Sequence, residues 1–155
     1  SQGVCRYYLD YKKRYTCHLE NVTSVFTSIS GNHLPGFTDT NVVRVYITDC
    51  DISRIPAIIS TKFTNLNYLY ADSCSLGNLN ENTLEGECAP KLETIVFTND
   101  NIVTVADNTF VGCSALKRLD LTGNAGIVSI NQAMFEPDPL FEKVYINRAN
   151  DVVLA

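Results

Sequence analysis

The stretch Leu116-Lys117-Arg118-Leu119-Asp120-Leu121-Thr122-Gly123-Asn124 sets the pattern for most of this chain. Apolar residues stand at its first, fourth and sixth places, and an amide at its ninth. Leu119 and Leu121 have the two-residue spacing of a short strand with one buried face. The pattern recurs upstream. Val42-x-x-Val45-x-Ile47-x-x-Cys50-x-Ile52 is followed by Ile55-Pro56, and Leu66-x-x-Leu69-x-Ala71-x-x-Cys74-x-Leu76 by Leu79. Leu92-x-x-Ile95-x-Phe97-x-x-Asp100-x-Ile102 is followed by Val105. In the stretch quoted first, the next apolar residue, Ile127, falls one place late, after Ala125-Gly126. A weaker fifth copy is Phe141-x-x-Val144-x-Ile146, with Ala149 or Asn150 where the polar residue belongs.

The copies start near residues 42, 66, 92, 116 and 141, in steps of 24, 26, 24 and 25. Such a period means stacked coils. One coil cannot bury its own apolar side chains, whereas stacked coils pair their strands into a parallel sheet over a continuous core. Phe63, Leu84, Phe110 and Phe135 precede the next strand and are expected to close each coil on its far side. The ninth-position residue turns inward, where it can bond backbone groups that would otherwise be buried unpaired. Asp100 departs from the Asn or Cys found there, and fits only if it accepts enough backbone N–H groups. The alternative, a β-sandwich of irregularly spaced strands, does not explain the shared core pattern or the regular steps.

The pattern resembles that of the leucine-rich-repeat superfamily over about residues 40–155. The N-terminal stretch Cys5…Tyr15-Thr16-Cys17-His18-Leu19-Glu20-Asn21-Val22, with Gly31-Asn32-His33, looks like the caps of arthropod secreted repeat proteins. The resemblance implies a leucine-rich-repeat solenoid of α/β-horseshoe type: a short parallel sheet on the concave side, an irregular or 3-10 convex side, and a disulfide-clipped hairpin cap. It implies one domain, with a cap over residues 1–40 and about five repeats over 41–155. It also implies a secreted, non-enzymatic binding module, as some members of that group act in extracellular immunity.

Cysteine placement suits an oxidising compartment. Six cysteines are present and none forms a C-x-x-C pair, which gives zinc or thioredoxin-like chemistry little support. Cys5 and Cys17 bracket a hairpin with Lys12-Lys13-Arg14 near its solvated tip. Val22, Val25 and Ile29 are expected to form a strand that extends the main sheet. Cys88 and Cys113, in adjacent coils, are disulfide candidates. Cys50 and Cys74 are either a disulfide or free residues of the ninth-position ladder. Asn21-Val22-Thr23 is a glycosylation sequon. Ser1-Gln2-Gly3-Val4-Cys5 is not a signal peptide and is compatible with the remainder of one. The apolar ending Asp151-Val152-Val153-Leu154-Ala155 leaves three readings open: a fragment of a longer repeat protein, a self-capping coil, or an edge that pairs with a second copy as a homodimer.

Composition narrows the partners. The chain has 155 residues, a net charge of −5 and a pI near 4.9. It lacks the basic footprint of a nucleic-acid binder and the long apolar run of a membrane span. The expected partner is a protein or glycan, with no cofactor and no metal. Residues between the apolar strand positions should face the concave side in three columns. The first is Arg44, Tyr68, Thr94, Arg118 and Lys143; the second is Tyr46, Tyr70, Val96, Asp120 and Tyr145. The third is Thr48, Asp72, Thr98, Thr122 and Asn147. The candidate ligand-binding residues are Arg44, Tyr46, Tyr68, Tyr70, Asp72, Val96, Arg118, Asp120, Lys143 and Tyr145. Tyrosines offer large contact area at low entropic cost, although tyrosine, threonine and valine also suit any strand. His18 and His33 lie in the cap and read as structural. With no G-x-S-x-G, H-E-x-x-H or phosphate-loop motif, no catalytic residues are expected.

Overall fold

A computed structural model of the chain describes residues 2–127, 130–135, 138 and 140–146. In order these form β1 (Gln2–Val4), β2 (Arg6–Leu9), β3 (Tyr15–Glu20), β4 (Ser28–Ser30), β5 (Arg44–Thr48), α1 (Ile58–Lys62), β6 (Tyr68–Asp72), β7 (Thr94–Thr98), β8 (Arg118–Asp120) and β9 (Lys143–Tyr145). Two short 3-10 turns span Asp39–Asn41 and Gln132–Phe135. Seven strands make one sheet in the order β2-β3-β5-β6-β7-β8-β9. Only β2 runs antiparallel to its neighbour. The protein is therefore a mostly-sheet solenoid of stacked coils with little helix.

Register passes through the sheet without a slip. Val45 pairs with Leu69, Leu69 with Ile95, Ile95 with Leu119 and Leu119 with Val144. These side chains and their partners two residues on, Ile47, Ala71, Phe97 and Leu121, are all buried. A one-residue slip would turn the whole row to solvent, so the burial itself fixes the register. Phe63, Leu84, Phe110 and Phe135 close the core from the return segments, as the spacing predicts. Each such side chain contributes about 1.5–3 kcal/mol by leaving water.

A repeated turn ends the strands. Asp49, Ser73, Asn99 and Gly123 occupy the eighth place of four successive coils and all have left-handed backbone, with φ of 51°, 57°, 54° and 82°. That turn swings the ninth residue into the core, where the ladder forms a relay. The Asp100 N–H donates to Asn124 Oδ1 at 2.9 Å, and the Cys74 N–H donates to Asp100 Oδ1 at 2.7 Å. Cys74 is in turn bonded to Cys50, with Cα atoms 4.2 Å apart. The structure thus resolves the two readings of Cys50 and Cys74 as a disulfide, because the ladder holds equivalent positions of adjacent coils face to face. Cys88–Cys113 joins the next two return segments, with Cα atoms 5.2 Å apart, and Cys5–Cys17 clips the hairpin.

The cap differs from expectation in one respect. Val22, Val25 and Ile29 do not extend the main sheet; β3 does, pairing Thr16 to Glu20 with Arg44 to Thr48. The reason lies in the burial of β3, where Cys17 and Leu19 are fully inside and continue the row of Val45 and Ile47. Asn21 then takes the left-handed turn, φ 58°, that Asp49 takes one coil later. The hairpin β2–β3 is held at its tip by Asp10, whose Oδ1 accepts the N–H groups of Lys12 and Arg14, both at 2.9 Å. Ile29 instead lies in β4, opposite Gly3 of β1, in a separate two-stranded sheet. Val22 and Val25 pack half-buried against the core. Asn147, Ala149, Asn150 and the apolar ending at Asp151–Ala155 lie outside the described residues.

Candidate functional site

The solvent face of the sheet carries the predicted columns in register. Arg44, Tyr68, Thr94, Arg118 and Lys143 are successive cross-strand partners, as are Tyr46, Tyr70, Val96, Asp120 and Tyr145. Thr48, Asp72 and Thr98 form the described part of the third. Strand β3 adds Thr16, His18 and Glu20 at the heads of the three columns. Sequence reading missed these because it placed the cap strand later. The signal was present in Cys17 and Leu19, two residues apart.

Arg44 is the centre of the face. Its guanidinium carbon lies 3.6 Å from the Tyr68 ring centroid and 5.5 Å from that of Tyr46. Its Nη2 donates to Tyr46 Oη at 3.1 Å. Tyr46 in turn stands 5.3 Å from Tyr70 and 6.0 Å from Tyr68, ring centre to ring centre. These are the distances of favourable aromatic and cation–π contacts. The stack leaves Arg44 only 9% exposed, with Nε buried and without a hydrogen-bond partner. Burial raises the Tyr68 phenol pKa against the pull of Arg44. Tyr8, also raised by burial, feels both Tyr46 and Arg44 and joins the cluster from β2.

Val96 lies on this face but is 7% exposed, so it is floor rather than contact surface. It sits in its column between Tyr70 and Asp120. Beside the cluster, a pocket of about 370 Å³ is lined by Arg44, Tyr68, Val96, Arg118, Asp120 and Tyr145 among others. Arg14 and Asn67 also reach it, from the hairpin and from the entry to β6. Arg14 pairs with Asp10 at 2.7 Å, and the half-exposed Arg118 lies 3.4 Å from Glu142. The Lys143 ammonium stands 5.7 Å from the Tyr145 ring.

Asp72 is not part of this cluster. It accepts Thr98 Oγ1 at 2.7 Å, Asn99 Nδ2 at 2.9 Å and Ser73 Oγ at 3.2 Å. Burial works against its ionisation, but these three bonds prevail and hold its pKa below the ordinary 3.8. Its visible role is to tie the strand ends of two coils.

Both histidines are held by hydrogen bonds. His18 Nδ1 accepts from Arg6 Nη2 at 3.0 Å, because arginine only donates, and Nε2 meets Thr48 Oγ1 at 2.8 Å. Burial lowers its pKa. His33 bridges Tyr15 Oη at 2.8 Å and Asp39 Oδ1 at 2.7 Å, and Asp39 also meets Lys62 at 3.1 Å. Tyr15 Oη accepts the Leu34 N–H. This network fastens the cap to α1.

A larger cleft, about 840 Å³, lies among the return segments and carries Glu81, Glu85 and Glu87. Two of these carboxylates are engaged locally: Glu85 takes Arg54 Nε at 2.7 Å and the Ala57 N–H at 3.1 Å, and Glu81 takes Asn108 Nδ2 at 3.1 Å. The smaller pocket on the sheet is lined by Arg44, a buried group without a full set of partners, so size does not decide between them. Among the described residues, no group of three or more His, Cys, Asp or Glu side chains is arranged to hold a metal ion. Comparison with known protein families, curated proteins and solved structures finds no match.

Proposed function

We propose that this chain is a leucine-rich-repeat protein of the arthropod type, secreted and non-enzymatic, that recognises a protein or glycan on the solvent face of its sheet. The observation that carries this reading is the cluster of Arg44, Tyr46, Tyr68 and Tyr70, in which the guanidinium lies over Tyr68 and the tyrosine rings pack at a tilt. Rigid aromatic anchors in a fixed arrangement lose little freedom on binding. Recognition of the innate-immune kind would use such a surface. Three disulfides that pair all six cysteines support an extracellular setting. No described helix is long and apolar enough to cross a membrane. Asn21 is exposed at its turn, as a glycosylated residue must be.

The test is a screen of arrayed glycans and purified extracellular proteins with the wild type and with Tyr46→Ala/Tyr70→Ala. The reading expects ligands held by the wild type to be lost by the double variant at unchanged thermal stability. Equal capture by both sinks it. A second reading, assembly through the C-terminal edge, rests on β9 having β8 as its one strand partner among the described residues. A monomeric mass by light scattering at micromolar concentration would rule it out.

A further inference from the structure

The pocket beside the tyrosine cluster has a chemical bias that the cluster alone does not give. Arg44 forms part of its lining, buried to nine-tenths, and spends one donor on Tyr46 while Nε has no partner. Among the described residues no carboxylate lies within ion-pair distance of Arg44, although the chain is acidic overall. Asp120, the carboxylate in the lining, stands three strands away in the sheet order, or about 14 Å at 4.8 Å per strand. It accepts the Thr122 N–H at 2.9 Å. A buried guanidinium with spare donors is costly unless an anion meets it, and its planar fork matches two oxygens of an oxyanion. Arg118 and Arg14 also line the pocket, each already paired with a carboxylate, Glu142 and Asp10, so Arg44 is the lining cation that lacks one.

The remaining lining points to the body that carries the anion. Tyr68 and Tyr145 offer ring surface. Thr94, Asn67 and Asp120 offer hydrogen-bonding groups suited to hydroxyls. Val96 is the one aliphatic side chain in the lining. The sheet presents its face here, with β5 to β8 each paired on both sides, so no strand edge is free to take a peptide backbone. Asp120 would repel a run of acidic side chains but would accept from sugar hydroxyls. We propose that this pocket receives an acidic saccharide, its carboxylate or sulfate seated on Arg44 and a sugar ring against Tyr68 or Tyr145. This rests on the reading of the sheet face as the recognition surface and gives that surface a ligand class.

Calorimetric titration of the disulfide-intact chain tests it with four probes: trigalacturonic acid, a sulfated galactose trisaccharide, the neutral galactose trisaccharide, and hexaglutamate. At least one acidic sugar should bind, about tenfold or more tighter than the neutral one. Whichever acidic sugar binds identifies carboxylate or sulfate as the source. Arg44→Met should abolish that preference with a melting temperature equal to or above wild type, since the substitution removes an unpaired buried cation. Should Arg44→Met fail to fold, Arg44→Lys keeps the charge without the fork and should lose most of the preference. Tyr145→Ala should weaken both acidic and neutral sugars.

Binding that ignores charge, or that survives loss of Arg44, overturns the assignment. So does absence of binding by either acidic sugar. Hexaglutamate binding as tightly as the sugars overturns the saccharide class. The broader reading has its own variants, Tyr46→Ala/Tyr70→Ala, at positions outside this pocket's lining. A ligand lost by those variants yet indifferent to Arg44 leaves recognition standing and removes the acidic saccharide.

Discussion

Replacing Asp100 by asparagine should stabilise this protein, and by an amount that depends on pH. Asp100 is fully buried; Oδ1 accepts the Cys74 N–H at 2.7 Å, and Oδ2 is buried with no partner. Burial pushes its pKa up from 3.8 to about 7, with the Cys74 N–H pulling down and nearby Asp72 pushing up. One coil on, Asn124 shows what an amide does in this position. Its Oδ1 accepts the N–H groups of Asp100 and Ile102, and its Nδ2 donates to Phe97 O and Leu121 O, both at 2.8 Å. Phe97 pairs with Ala71 across the sheet, so an amide at position 100 would find the Ala71 and Phe97 carbonyls in the corresponding places.

The sign follows from proton counting. Between pH 3.8 and about 7 the folded chain keeps a proton on Asp100 that the unfolded chain has released. Stability therefore falls as pH rises through that window and levels off above it. At about 1.4 kcal/mol per pKa unit, a shift of roughly three units corresponds to about 4 kcal/mol. Asp100→Asn removes this loss. The variant should match the wild type within about 1 kcal/mol at pH 4 and exceed it by about 2–4 kcal/mol at pH 8. Guanidinium unfolding followed by circular dichroism, without reductant, measures both values. A gain that is the same at pH 4 and pH 8, or a variant less stable than wild type at pH 8, would refute the reasoning.

The disulfides, turns and core make further demands. Cys50→Ala/Cys74→Ala opens a link of sequence separation 24 and should cost about 3 kcal/mol in denaturant unfolding. Ser73→Gly, at φ 57°, relieves left-handed strain and should raise stability by up to about 1 kcal/mol, whereas Ser73→Val should lower it. Phe97→Ala empties a fully buried position in the central strand and should cost about 3–5 kcal/mol by the same assay. Expression through a secretory pathway should give a mass excess that peptide N-glycosidase removes and that Asn21→Gln abolishes.

The coils were legible in the sequence because their signal is geometric. Val45/Ile47, Leu69/Ala71, Ile95/Phe97 and Leu119/Leu121 alternate as a strand with one buried face requires, and nearly equal steps of 24 to 26 residues between them imply the register. The cap was harder to place. Val22, Val25 and Ile29 are β-branched and attract a strand assignment, while the real strand mixes Thr16, His18 and Glu20 with its inward Cys17 and Leu19. Local preference pointed one way and stacking on β5 decided the other. Three columns of outward residues could be written down from spacing alone, but not the behaviour of Arg44. That its guanidinium lies on Tyr68, burying itself beside a pocket that Arg14 and Asn67 help to line, depends on side-chain packing across three elements. Likewise Asp100 announced itself as an exception, and only its neighbours show that one oxygen is satisfied and the other is not.

The stacking of coils in this register makes one demand that chemistry can check without a structure. Six cysteines allow 15 complete pairings. Proteolysis without reductant, followed by mass spectrometry of the linked peptides, should find Cys5–Cys17, Cys50–Cys74 and Cys88–Cys113. The second and third links can form only if coils about 25 residues apart lie side by side. Any other pairing would contradict the stacking of the coils and with it the arrangement that builds the face around Arg44.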